Sequence, residues 1–195
     1  MVGSLAAGLA GTFLESKFSL ASVVGLGGTS STTGLPQAFG MTPVILSGMS
    51  FWILMHGFLV VNDARKKYSA LAEKDGEKDV NERFGYPNLY AQGTSKHVRA
   101  FNCVQRSHQQ IFETFPQICL LSMVGAVHYP VATAVTLATY AVGRIANSMS
   151  YAHAEGDADK RYSHPLSMGI WYGYISTIVV SIVSSVSMIV GKAVI

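Results

Sequence analysis

The chain has 195 residues, of which 49% are apolar and 13% charged, and its net charge is +3. This balance points to lipid as solvent, and the small net charge reads as membrane topology and not as a nucleic-acid surface. Its two cysteines, Cys103 and Cys119, have no Cys or His at ligand spacing, so neither a disulfide framework nor a metal site is expected.

Residues 1–42 are rich in Gly, Ser, Thr and Ala, with Glu15 and Lys17 the charged members. Met1 to Leu14 lacks the basic start of a signal peptide, and the segment lacks the arginines of a transit peptide. It reads as an N-terminal extension in which Leu5 to Val24 is partly helical, lying on the membrane or on a partner. Gly28 to Gly34 reads as a flexible linker.

Residues 43–195 read as an all-α, four-helix transmembrane domain. A hydrocarbon core about 30 Å thick needs roughly 20 apolar helical residues, and four segments meet that length. They run from Pro43 to Val61, from Lys96 to Val127, from Val131 to His153, and from Leu166 to Val190. The basic run Arg65-Lys66-Lys67 ends the first, and His128-Tyr129-Pro130 turns the second into the third. The connections 62–95 and 154–165 hold most of the Lys and Arg, which makes their side cytosolic, or the matrix in a mitochondrial membrane. Both chain ends are then expected on the opposite side.

Within the second span, at about 100° per residue, Arg99, Asn102, Arg106, Gln110, Glu113 and Gln117 fall within roughly 40° of Arg106. A charge at the centre of a bilayer costs at least about 2.5–3.5 kcal/mol, so this stripe is expected to face other helices or a polar recess. On the third span Tyr140, Arg144, Asn147, Ser148 and Tyr151 share a face, and Arg144 is the expected partner of Glu113, within one subunit or across an interface. Two arginines, two glutamines, an asparagine and a glutamate exceed what one helix-orienting pair needs; they suit a ligand carrying carboxylates and amides. His108 faces away from the stripe and suits packing. His56, alone in an apolar span, suits a satisfied hydrogen-bond donor between helices.

The stretch FNCVQRSHQQIFETFP, Phe101 to Pro116, resembles the second-helix signature of the membrane-associated proteins in eicosanoid and glutathione metabolism, the MAPEG family. The nearest branch is the type III microsomal glutathione S-transferases. ARKKY at Ala64 to Tyr68, YPNLYA at Tyr86 to Ala91, the HYP turn and VGR at Val142 to Arg144 support it. The resemblance implies a left-handed four-helix bundle assembled as a homotrimer, with the co-substrate glutathione between subunits and a lipophilic electrophile or lipid hydroperoxide arriving from membrane lipid. Glutathione binding maps to Arg106, Gln110, Glu113 and Tyr151, and thiolate stabilisation to Arg161. The implied location is the endoplasmic reticulum, with a mitochondrial membrane as the alternative.

Departures from that pattern motivate a second reading. Gln110 stands where the family usually has Asn, Asn147 where it usually has Tyr, and the connection carrying Arg161 is about two residues longer. An insertion of roughly Ser69 to Gly85 offers charge for docking. The second reading is therefore a catalytically weak or inactive lipid-binding or structural subunit of a larger membrane complex.

Overall fold

In lipid, backbone N–H and C=O groups must pair within their own segment, so long apolar runs form helices. The computed structural model describes residues 1–193, and among these it is all-α, without a strand. Helix α1 covers Val2–Phe18 and α2 covers Leu20–Val23. Helix α3, Met41–Met55, passes through a π-helical segment, His56–Val61, into α4, Asn62–Lys74. The short α5 is Val80–Phe84, and α6 is Lys96–Gln109. A 3-10 turn, Gln110–Glu113, separates α6 from α7, Phe115–Gly125. Helix α8 is Pro130–Ala152; after 3-10 turns at Ala158–Tyr162 and Pro165–Met168 comes α9, Gly169–Val190.

Among the described residues, two helical runs are long and apolar enough to cross a bilayer: Gln37–Lys74, of 38 residues, and Pro165–Val190, of 26. The first is longer than the roughly 20 residues a bilayer core needs, and its last part, the charged α4, is too polar to count toward them. The second expected span is not one helix. Pro116 lacks an N–H and its ring would strike the carbonyl four residues back, so the helix tightens after Gln109, stops at Thr114 and restarts with the proline in its first turn.

The chain forms two compact units. The first comprises residues 1–49, 114–143 and 168 onward. Here α1 lies along α9 through a seam of small residues: Ser4, Gly8 and Thr12 are buried, and a Cβ on Gly8 would stand 2.8 Å from Val179 Cβ. Ser176 Oγ donates to the Ser4 carbonyl at 2.7 Å. Leu5, Leu9 and Phe13 remain exposed on the other side of α1. The expected N-terminal helix therefore exists, and its seat is α9 of its own chain. Gly28 to Gly34, expected as a flexible linker, carries a turn made by Ser30 N–H donating to the Leu35 carbonyl at 2.8 Å and by pairing of Thr29 with Pro36. Helices α8 and α9 meet backbone to backbone at glycines: a Cβ on Gly143 would stand 2.2 Å from Ile170 N, and one on Gly173 2.2 Å from Tyr140 N. Such approach through small residues is how helices gain packing where lipid gives no hydrophobic drive.

The second unit comprises residues 50–113 and 144–167. Val61, Tyr68, Phe84, Val98, Phe101 and Val104 belong to its core. Arg65, from the basic run, is buried here: it donates to the carbonyls of Phe84 and Leu89 and lies between the rings of Tyr86, at 4.7 Å, and Phe101, at 4.5 Å. Arg83 donates to Glu77 at 2.8 Å and to the Gln92 carbonyl at 2.8 Å. Charge in the inserted connection is thus partly spent inward on its own fold. His56, expected to donate a hydrogen bond, has no partner on either ring nitrogen. Ring packing holds it instead, with Trp52 at 5.0 Å and His108 stacked at 5.6 Å. Gly57 makes room for the His108 ring, since a Cβ there would stand 2.9 Å from His108 Cε1.

Candidate functional site

Helix α6 is anchored before it reaches the polar stripe. Ser95 Oγ accepts from Val98 N–H at 3.3 Å and caps the helix. Asp75 accepts from Lys96 Nζ at 2.8 Å and pairs with His97 Nε2 at 2.9 Å. The Lys96 hydrogen bond foremost, then that of His97, holds the Asp75 carboxyl down to about 2. One turn on, Asn102 is bonded twice to Ala91, accepting from its N–H at 2.9 Å and donating to its carbonyl at 3.0 Å. Asn102 was expected among the ligand-facing groups; its amide is consumed in pinning the connection to the helix.

That pinning brings in a residue the sequence does not single out. The Tyr90 hydroxyl donates to Gln109 Oε1 and interacts with the Arg106 guanidinium. Its place depends on the fold-back of residues 85–95, and the YPNLYA stretch is the only local sign of it.

Arg106 Nη1 and Glu113 Oε1 are 2.6 Å apart, with side chains 39% and 54% exposed. They lie seven residues, or about two turns, apart on one face, so two long side chains can meet along it. Glu113 is partnered by Arg106 of its own segment, while Arg144 is buried on α8. A pair this open contributes only about 0–1 kcal/mol in water. Its position on an open flank is what demands an explanation. Arg99 is exposed on the same helix, while Gln117, beyond the break, is exposed on α7 in the other unit.

Beside this pair runs a chain of amides. Gln110 Nε2 donates to Asn147 Oδ1 at 2.8 Å, and Asn147 Nδ2 donates to the Arg161 carbonyl at 2.8 Å. Asn147 is 1% exposed. Arg161 lies on the 3-10 turn 158–162, exposed, with its guanidinium close to the Tyr151 hydroxyl. Tyr151 is buried against Cys103 and Ala154. The five site residues named from the sequence, Arg106, Gln110, Glu113, Tyr151 and Arg161, thus all fall in one unit, and Asn147 and Tyr90 join them. Chemically the cluster offers guanidinium donors, a carboxylate, and an amide acceptor, a set suited to an amino-acid-like zwitterion.

The family model of the MAPEG family matches residues 42–185. The chain belongs to the MAPEG family. This is a membrane family whose members generally use glutathione, and the matched region includes every residue of the cluster. No solved structure matches the chain. Membership also accounts for the exposed large apolar side chains of α3, Val44, Phe51 and Leu54, as faces turned to lipid.

Proposed function

We propose that the chain is a membrane-bound glutathione S-transferase or glutathione-dependent peroxidase, of the type III microsomal kind, acting on lipophilic electrophiles or lipid hydroperoxides. In this reading four spans form the bundle and three copies assemble. The observation that carries it is the Arg106–Glu113 pair, half open on the flank beside the Gln110–Asn147–Arg161 chain. Facing acyl chains, a central charge would cost at least about 2.5–3.5 kcal/mol, so a neighbouring subunit covers this flank and leaves a polar recess.

Glutathione presents two carboxylates and an ammonium group. In the free protein Arg106 and Glu113 satisfy each other; on binding they exchange partners, Arg106 taking a carboxylate and Glu113 the ammonium. Gln110 supplies an acceptor for an N–H, and the Tyr151 hydroxyl and Arg161 guanidinium stand where the thiol would come. A thiol with an ordinary pKa near 8.5 is mostly protonated at neutral pH; a guanidinium beside it favours the thiolate, and the proton leaves to water. The thiolate sulfur then forms a bond to the electrophilic carbon as the leaving group departs with the bond pair. With a hydroperoxide, two glutathiones supply the two electrons, giving alcohol, water and glutathione disulfide.

The test uses purified protein in detergent, assayed for glutathione conjugation to a chromogenic aryl halide and weighed by native mass. The reading expects glutathione-dependent product and a particle of roughly 60 kDa from three chains of 20.9 kDa. No conjugation, with the chain found only in fixed stoichiometry within a larger complex, would overturn it in favour of a structural subunit.

A further inference from the structure

The two departures from the family pattern, Gln110 and Asn147, are bonded to each other. Their orientations are forced in sequence. A backbone carbonyl only accepts, so the Arg161 carbonyl fixes Asn147 with Nδ2 toward it. Asn147 then presents Oδ1 to α6, and Gln110 must meet it with Nε2, leaving Gln110 Oε1 as the acceptor it can offer a ligand. The longer arm of Gln110 matches the shorter reach of Asn147. The side chain that bridges them is buried, where an unpaired amide would cost about 1–3 kcal/mol, so this geometry is firmly selected.

The bridge ends on the turn that carries Arg161. Two side-chain contacts tie that turn to the cluster: the Asn147 bond to its backbone, and the Arg161 guanidinium at Tyr151. We infer that Asn147 is a positioning residue, one that fixes the 158–162 turn so that the Arg161 guanidinium stands at the glutathione sulfur. This rests on the glutathione reading above. The paired substitutions are then a compensated exchange and not a sign of decay: where a tyrosine would offer one hydroxyl, Asn147 offers an acceptor to α6 and a donor to the turn.

Asn147→Asp separates the two halves of the bridge. It is isosteric and still accepts from Gln110, but it cannot donate to the Arg161 carbonyl and sets a carboxylate against it. Two readouts apply. The first is the pH dependence of thiolate absorbance of bound glutathione, together with KM and kcat. The second is limited trypsin cleavage after Lys160 and Arg161, both exposed, which needs no ligand.

In N147D the thiolate titration should move up by about one pH unit toward the free thiol. kcat near neutral pH should fall about tenfold with KM for glutathione within about twofold, because Arg106 and Glu113 are untouched. Cleavage of the 158–162 turn should quicken. Arg161→Ala should show the same titration shift, and combining it with N147D should add little further. A titration curve for N147D that coincides with the native one overturns the inference, whatever the cleavage rate. If the native protein itself binds no glutathione, the site reading falls and takes this inference with it, an outcome visible before any variant is made.

Discussion

Glu15, near the end of α1, accepts from the backbone N–H groups of Val131 at 2.9 Å and Ala132 at 2.8 Å, one carboxylate oxygen to each. Those amides belong to the first turn of α8, which lacks intrahelical partners and carries the positive end of the helix dipole. Glu15→Ala leaves both without an acceptor and should lower stability by about 1–2 kcal/mol. Glu15→Gln retains one acceptor oxygen and should lose about half of that. Thermal unfolding in a fixed detergent measures both, and equal melting points for the three proteins would remove Glu15 from the account.

The direction of α1 makes a second prediction. Ser4 meets Ser176 and Gly3 lies near Tyr172, early in α9, whereas Glu15 meets the start of α8. Since α1 and α9 run parallel, the start of α1 belongs with the start of α9. With α9 crossing the bilayer, as proposed above, Val2 and Val190 are predicted at opposite faces, where the sequence reading expects both chain ends on one. Epitopes placed ahead of Val2 and after Ile195 in sealed vesicles should be cleaved by added protease from opposite faces; cleavage of both from one face would refute this.

Gly173→Ala separates two competing effects. Alanine favours a helix over glycine by about 1 kcal/mol. Its Cβ, however, would stand 2.2 Å from Tyr140 N and 2.7 Å from the Thr136 carbonyl, both backbone atoms that cannot rotate away. Forcing α8 and α9 apart costs about 1–3 kcal/mol or more, so sterics win and the melting temperature should drop. A neutral or stabilising result would show that the two helices are not in backbone contact.

Acid should loosen the first turn of α6. The Asp75 carboxyl is held down to about 2 from an ordinary 3.8, chiefly by its hydrogen bond from Lys96. A carboxylate with a depressed value contributes its interaction fully above the ordinary value and loses it as pH falls through the folded one. Protection of the residue 96–99 amides, taken against their intrinsic exchange rates at each pH, should therefore fall between about pH 4 and pH 2, and Asp75→Asn should show the reduced protection at neutral pH. Identical exchange in native and Asp75→Asn protein at neutral pH would contradict the latch.

Local signals were readable and long-range ones were not. Helical periodicity placed Arg106 and Glu113 on one face, and the structure joins them. The same periodicity carried too far past Pro116, whose ring ends the helix regardless of the apolar residues beyond it. Asn102 looked identical to a ligand-facing amide because only the fold-back of Ala91 reveals what occupies it. Gln110 and Asn147 each looked like a loss when read alone; 37 positions apart, their hydrogen bond is visible only in three dimensions. The seat of α1 on α9 depends on complementary small residues 172 positions apart, a match that neither segment announces by itself.

Direct binding of glutathione to the purified protein, native against Arg106→Ala, tests the central claim. Arg106 supplies the charge-assisted hydrogen bonds to a ligand carboxylate, worth about 1.5–3 kcal/mol, so its loss should weaken binding by roughly 10- to 100-fold while the melting temperature stays near native. Equal affinity in the two proteins, or no measurable binding to the native one, would contradict the account.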